Sequence, residues 1–334
     1  MTDPLLQILV FAGGIGLLIG GAWLLISGGV RAAAVLGVPT VVVGLTVVAF
    51  GTSAPELFVS LVGAVKGNTG LVLGNVIGSN VANLGLILAI AAMLRPVIVE
   101  RGLSRKEVPL LMVATLLFAI LVWDGRLGKL DAFILVLGFG AFMGWTLSNQ
   151  DRGSAVAPKV DLPPVDPEHR LRELSRGSAL VVLGVIGLAI GGHFIVSSAL
   201  KLAVNMGISE TLIGLTLVAV GTSLPELATT IVAALRNEDD LALGNIVGSN
   251  LFNILAVAGP VGLIRGLDAE AGATNSLLGG LNLANLQVQT LSMVALTVMV
   301  FVMIMLGRGR IGRSRGLLLL VTYGLIMVIW ATLK

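Results

Sequence analysis

GTSAPELFVS, residues 51–60, returns as GTSLPELATT at residues 221–230. GNVIGSNVANLGL, beginning at Gly74, returns as GNIVGSNLFNILA, beginning at Gly244, and both recurrences have the same offset of 170 residues. The flanks repeat as well, with Gly37, Gly44, Leu45 and Thr46 matching Gly207, Gly214, Leu215 and Thr216. The chain therefore reads as two homologous halves, and each half sets a glutamate, Glu56 or Glu226, inside an apolar run.

Composition identifies the solvent of those runs. Of 334 residues, 56% are hydrophobic and 12% charged, against roughly 25% charged in a soluble domain. The mean hydropathy is +1.02. These values predict an all-α polytopic membrane protein, because only helices and closed barrels satisfy their backbone in lipid. The net charge is only +3 and the basic residues are scattered between apolar runs, which argues against a nucleic-acid partner. With no cysteine, disulfides, thiolate metal sites and thiol catalysis are excluded. The start, MTDPLLQ, lacks the positive region of a secretory signal, so the first apolar run is expected to remain as a span.

Apolar windows predict ten spans, near residues 5–29, 39–65, 71–94, 107–123, 130–147, 177–200, 208–235, 241–264, 288–306 and 316–333. Alternate loops then divide the 21 basic residues into six on the side of the termini and fifteen on the other. The positive-inside rule predicts both termini extracytoplasmic and the 148–176 linker cytoplasmic. Residues 1–147 and 177–334 thus each carry five spans, and an odd number turns the second repeat upside down relative to the first. The two repeat motifs cover 51–90 and 221–260. The loop from Arg265 to Gln287 is longer than its counterpart and is expected to form an ordered extension without ion ligands.

Each glutamate follows a proline that cannot donate a backbone hydrogen bond. Spans 2 and 7 are therefore expected to break, freeing carbonyls near Ala49 and Ala219. Helical spacing puts Thr52 and Ser53 on one face with Glu56, and aligns Asn75, Ser79 and Asn83 on the next span. The second half repeats this with Thr222, Ser223, Glu226, Asn245, Ser249 and Asn253. The set is all oxygen, which suits Ca²⁺ or Na⁺ and not zinc or copper. Because a buried charge in a bilayer costs several kcal/mol, its occurrence at two repeat-related positions points to function. Asn75, Asn80, Asn245 and Asn250 read as packing or backbone-satisfying groups, and the pairs Gly74/Gly78 and Gly244/Gly248 as close-approach sites. His193 reads as local packing, and Asp161, Asp166, Glu168 and Glu238 to Asp240 as solvated loop charges.

The paired motifs GTSAPE/GTSLPE and GSNVAN/GSNLFN resemble the two repeats of the cation/Ca²⁺ antiporter superfamily, in particular its prokaryotic Na⁺/Ca²⁺ exchanger branch. That resemblance implies ten transmembrane helices with the site on helices 2, 3, 7 and 8. The implied ligands are Thr52, Ser53 and Glu56 with the Ala49 carbonyl, Ser79 and Asn83, then Thr222, Ser223 and Glu226 with the Ala219 carbonyl, Ser249 and Asn253. Asn253 stands where some members, including K⁺-dependent ones, carry Asp, which implies exchange without K⁺. The expected activity is Na⁺/Ca²⁺ antiport in the cell membrane by alternating access, with Ca²⁺ and Na⁺ as substrates. Neither enzymatic chemistry nor a cofactor is expected, and the lipid bilayer is the only partner implied. The alternative is a Ca²⁺/H⁺ antiporter, whose relatives usually have Gly-Asn before the acid, and a third reading is a cation channel.

Overall fold

The apolar windows fold as helices, with the two that bear the repeated Asn and Ser residues at the centre. A computed structural model describes residues 4–98, 106–148, 167–205, 219–270, 283–307 and 309–332. The first half contains α1 (Pro4–Leu36), α2 (Thr40–Thr52), α3 (Ala54–Val65), α4 (Thr69–Leu94), β1 (Val97–Ile98), α5 (Glu107–Leu121), β2 (Arg126–Leu127) and α6 (Lys129–Ser148). The second contains α7 (Pro167–Asn205), α8 (Ala219–Thr222), α9 (Leu224–Leu235), α10 (Asp239–Ile264), β3 (Leu267–Asp268), α11 (Leu283–Leu306), β4 (Arg310–Ile311) and α12 (Arg313–Thr332).

Among the described residues, seven helices are long and apolar enough to cross a membrane. The α2–α3 pair, bent by 45°, makes an eighth, and α5 and α9 are shorter apolar helices. In their most apolar windows, 89% of α10 and 78% of α4 is buried, against 17% of α12 and 22% of α6. The helices bearing the repeated Asn and Ser residues are thus enclosed by the others. Outward-facing Leu, Ile and Phe side chains such as Ile120, Leu183 and Phe58 leave an apolar exterior, as a lipid solvent requires.

Two cross-half contacts position the centre. β1 pairs with β4 and β2 with β3, both antiparallel, so each short strand of one half is held by the other. Helices α1 and α7 lie antiparallel with glycines every seventh residue in register, Gly14 by Gly191, Gly21 by Gly184 and Gly28 by Gly177. A Cβ at Gly21 would lie 2.8 Å from the Gly184 carbonyl and one at Gly28 2.7 Å from that of Gly177, so side chains there would force the helices apart. Gly244 and Gly248 play the same part against α2, where a Cβ on Gly248 would lie 2.8 Å from Leu45. The stretch expected to oppose Gly74 and Gly78, within 206–218, lies outside the described residues.

Away from the two breaks, the structure departs from the sequence expectations at three places. Helix α7 starts at Pro167, not near 177, because the polar turn PEHRLRELSRG is helical. Arg31 and Arg176 both bond Glu173, and Arg170 donates to the Val35 carbonyl at 3.1 Å, so charges carry this helix where hydropathy does not. Asp239 is not a solvated loop charge; it opens α10 and lies 3.7 Å from Arg95 Nη1. His193 does not pack, since its ring is exposed along a cavity described below. The expected extension at 271–280 and most of the linker lie outside the described residues.

Candidate functional site

Pro55 and Pro225 occupy the first turns of α3 and α9, where a missing N–H is tolerated. The residue before each of these helices takes the same non-helical conformation, φ −86° and ψ 6° at Ser53, φ −88° and ψ 6° at Ser223. Glu56 and Glu226 therefore sit in the first turn of a new helix, at the end whose dipole favours negative charge. Each is only 1% exposed.

The two halves exchange hydrogen bonds at this point. Ser53 Oγ donates to Glu226 Oε1 at 2.9 Å, and Ser223 Oγ donates to Glu56 Oε1 at 3.4 Å. The main chain of each glutamate is braced from the next helix too. The Asn75 amide donates to the Glu56 carbonyl at 3.1 Å and to Ser60 Oγ at 3.0 Å, and that of Asn245 to the Glu226 carbonyl at 3.4 Å and Thr230 Oγ1 at 3.0 Å. These asparagines satisfy backbone, as expected.

Ser79 and Asn253 come together, with Asn253 Nδ2 donating to Ser79 Oγ at 2.9 Å, and Asn83 Nδ2 donates to Asn250 Oδ1 at 3.5 Å. Asn83 and Asn253 each open a π-helical segment, Asn83–Ile87 and Asn253–Ala258, a distortion found mostly at functional sites. Both amides spend their N–H groups on neighbours. As a result Glu56 Oε2, Glu226 Oε2, Asn83 Oδ1 and Asn253 Oδ1 are all buried acceptors with no hydrogen-bond partner. Buried polar atoms are normally satisfied. Four orphaned oxygens, two of them on carboxylates, are what a hard cation would coordinate. Among the described residues no group of three or more His, Cys, Asp or Glu comes together, so neutral oxygens would have to complete any shell.

The threonines differ. Thr52 Oγ1 reaches Asn245 Oδ1 at 3.0 Å and Ser249 Oγ at 3.3 Å, whereas Thr222 Oγ1 has no partner among the described residues. The Ala49 carbonyl is not freed by the break: it accepts from Ser53 N at 2.9 Å and from Thr52 Oγ1 at 3.3 Å. The donor that Pro55 withholds is the one that would reach Gly51, four residues earlier. Ala219 opens the described segment 219–270, as the first residue of α8. A cavity of about 450 Å³ adjoins the site, lined by Gly51, Pro55, His193, Gly221, Thr222 and Pro225 among others. The sequence reading did not associate His193 with the break; the signal available was its place about 200° around α7 from Gly191, which faces α1.

Comparison with known proteins agrees with this geometry. A family model described as sodium/calcium exchanger protein matches residues 6–148 and 177–331. A putative antiporter, CaxA of Alkalimonas amylolytica, is 37% identical over 271 residues, covering 79% of this chain and 83% of that one. The sodium/calcium exchanger MaX1 of Methanosarcina acetivorans is 32% identical over 260 residues, covering 68% and 74%. Among solved structures, the sodium-calcium exchanger NCX_Mj soaked with 10 mM Na⁺ and no Ca²⁺ superposes with a TM-score of 0.82 at 29% identity, covering 99% of this chain and 100% of that one. The chain belongs to the sodium/calcium exchanger family and is a cation/Ca²⁺ antiporter of membranes.

Proposed function

We propose that the chain exchanges Na⁺ for Ca²⁺ by alternating access at a mid-membrane site formed by Glu56 and Glu226 with Thr52, Ser53, Ser79, Asn83, Thr222, Ser223, Ser249, Asn253 and the Ala219 carbonyl. The observation that carries this reading is the set of four buried, partnerless oxygens around two carboxylates from opposite halves. Two carboxylates carry −2, which one Ca²⁺ or two Na⁺ neutralise, and the same oxygens cannot serve both fillings at once. Occupancy is then competitive. An empty site crossing a low-dielectric centre leaves bare charge that costs several kcal/mol, and each 1.4 kcal/mol makes that state about tenfold rarer. Only loaded carriers move, which is antiport. The ions are substrates; the serines orient the carboxylates and the asparagines present neutral oxygens.

The architecture that goes with this mechanism is ten helices in two inverted repeats, 1–147 and 177–334. Eight spans and the shorter apolar helices α5 and α9 among the described residues support that count. Reciprocal contacts, Ser53 to Glu226 against Ser223 to Glu56 and β1–β4 against β2–β3, support a two-fold relation between the halves. In this reading the termini are extracytoplasmic and the 148–176 linker cytoplasmic, from the distribution of basic residues.

The test is ⁴⁵Ca²⁺ uptake into proteoliposomes under an imposed Na⁺ gradient, repeated with a pH gradient alone. Uptake is expected with Na⁺ and not with pH. Uptake driven by pH alone would replace Na⁺ by H⁺ as the counter-ion.

A further inference from the structure

Arg95 and Arg265 occupy equivalent positions in the repeat, and each reaches into the other half. Arg95 Nη1 donates to the Ala234 carbonyl at 3.1 Å, and Arg265 Nη1 to the Ala64 carbonyl at 3.5 Å. Ala64 and Ala234 are themselves equivalent, and lie in the last turns of α3 and α9, the half-helices that begin beside Glu56 and Glu226. The same carbonyls close those helices. Gly67 N returns to Ala64 O at 3.0 Å and Asn237 N to Ala234 O at 3.2 Å, from residues at φ +79° and +62°. Each arginine therefore takes the second lone pair of a helix-closing carbonyl, at the end whose dipole favours a cation. Ala64 is eight positions after Glu56, so carboxylate and clasp are about 12 Å apart along one rigid half-helix.

The two clasps lie on opposite membrane faces. Arg95 ends α4, while Arg265 lies by the turn before it, where a Cβ on Gly67 would be 3.3 Å from Arg265 Nη2. A helix of 26 residues is about 39 Å long, enough to span the bilayer. The clasps also differ by one carboxylate. Arg95 Nη1 is 3.7 Å from Asp239 Oδ1, whose side chain is 14% exposed. The position equivalent to Asp239 is Thr69, whose hydroxyl instead donates to the Asp268 carbonyl at 2.8 Å and accepts from Asp268 N at 3.0 Å.

We propose that Arg95 and Arg265 are paired positioning residues for exchange, each fixing the far end of the half-helix that carries the other half's carboxylate, and that Asp239 makes the clasp on the Arg95 face the tighter of the two. The proposal rests on the exchange reading above. Opening the site to one face swings the half-helix that ends there about its serine break, so the far end must leave its arginine. On the Arg95 face that separation also pulls a cation from a carboxylate in partly desolvated surroundings; on the Arg265 face it breaks a bond to a neutral carbonyl.

The experiment is side-resolved. Full-length protein is reconstituted in one orientation and the Ca²⁺ concentration giving half-maximal flux is measured at each face, using whichever counter-ion gradient drives the wild type. Arg95→Gln is expected to shift the value on its own face about fivefold and the opposite face less than about twofold, the scale of one partly exposed charge-assisted hydrogen bond. Arg265→Gln should do the reverse with a smaller shift, and Arg95→Lys should restore part of the Arg95→Gln loss by keeping the charge beside Asp239. Thr69→Asp supplies the missing carboxylate, so turnover should slow, and adding Arg265→Gln should abolish that slowing. Equal shifts at both faces in both Gln variants, or slowing by Thr69→Asp that persists without Arg265, would overturn the proposal. If the wild type moves no Ca²⁺ under either gradient, it is the exchange reading that fails. The clasps are then tested by amide hydrogen exchange, which Arg265→Gln should accelerate at 63–68 and Arg95→Gln at 233–238; no acceleration would overturn them too.

Discussion

The breaks at 51–60 and 221–230 share a motif and a backbone conformation, yet their threonines do opposite things. Thr52 is fully buried and closes onto α10 through Asn245 and Ser249. Thr222 is half-buried, lines the cavity beside His193, and has no partner among the described residues. Near-identical sequences therefore do not give identical surroundings. A carrier open to one side at a time must hold its halves in different states in any single conformation, and the threonines are where this difference is most visible.

The largest effect should come from removing what the halves share. Glu56→Gln and Glu226→Gln each take one of two buried charges from the site, and each should weaken equilibrium Ca²⁺ binding by about 100-fold or more, the scale of losing a few kcal/mol of charge interaction. Calorimetry on the purified variants checks it. Wild-type affinity in both would mean that the carboxylates are structural, and the two breaks would cease to be comparable as halves of one site.

Asn253→Asp is expected next in size. A third carboxylate beside Ser79 should tighten Ca²⁺ binding about tenfold while leaving net charge on the Ca²⁺-loaded carrier, so Na⁺-driven flux should fall as affinity rises. Affinity and flux rising together would show that net charge does not limit the crossing.

Much of this site is legible from the sequence because repetition marks it. One offset pairs Glu56 with Glu226, Ser53 with Ser223, Ser79 with Ser249 and Asn83 with Asn253, and so marks the members of a single cluster without any distance being known. Features made by one half alone, or by charges, are less legible. The polar start of α7 is invisible to hydropathy because Glu173 holds it between Arg31 and Arg176. Asp239 looks like a loop acid until Arg95 arrives from the other half. His193, among glycines that pack on α1, faces the other way, because two residues along a helix turn a side chain by about 200°. The Ala49 carbonyl lies two residues too early to be freed by Pro55, since the missing bond is to the residue four before the proline.

A subtler contrast separates the threonines themselves. Thr52→Ala leaves Asn245 Oδ1 buried without its donor and should lower stability by about 1–2 kcal/mol. Thr222→Ala removes a hydroxyl that makes no well-formed hydrogen bond and stands close to the Glu56 carboxylate, so it should leave the melting temperature nearly unchanged and act on ion affinity instead. Equal melting shifts would erase the difference between the breaks.

The smallest effect is expected at His193, and it bears on what fills the space beside Thr222. The side chain lines the cavity rim and makes no hydrogen bond among the described residues, only a tilted contact to Phe194 with ring centroids 6.1 Å apart. Substitution should therefore change stability by no more than about 0.5 kcal/mol. That tolerance makes it a reporter. The chain has no cysteine, so His193→Cys offers a single thiol, with Ser198→Cys, one turn further on and fully buried, as the control. If the cavity admits water from one side of the membrane, a charged thiol reagent should label position 193 from that side alone and leave 198 untouched. Saturating Ca²⁺ should alter the labelling rate if loading changes which break is closed. Equal labelling from both sides would mean that the cavity is no route to one face, and the contrast between Thr52 and Thr222 would then reflect local packing in place of access.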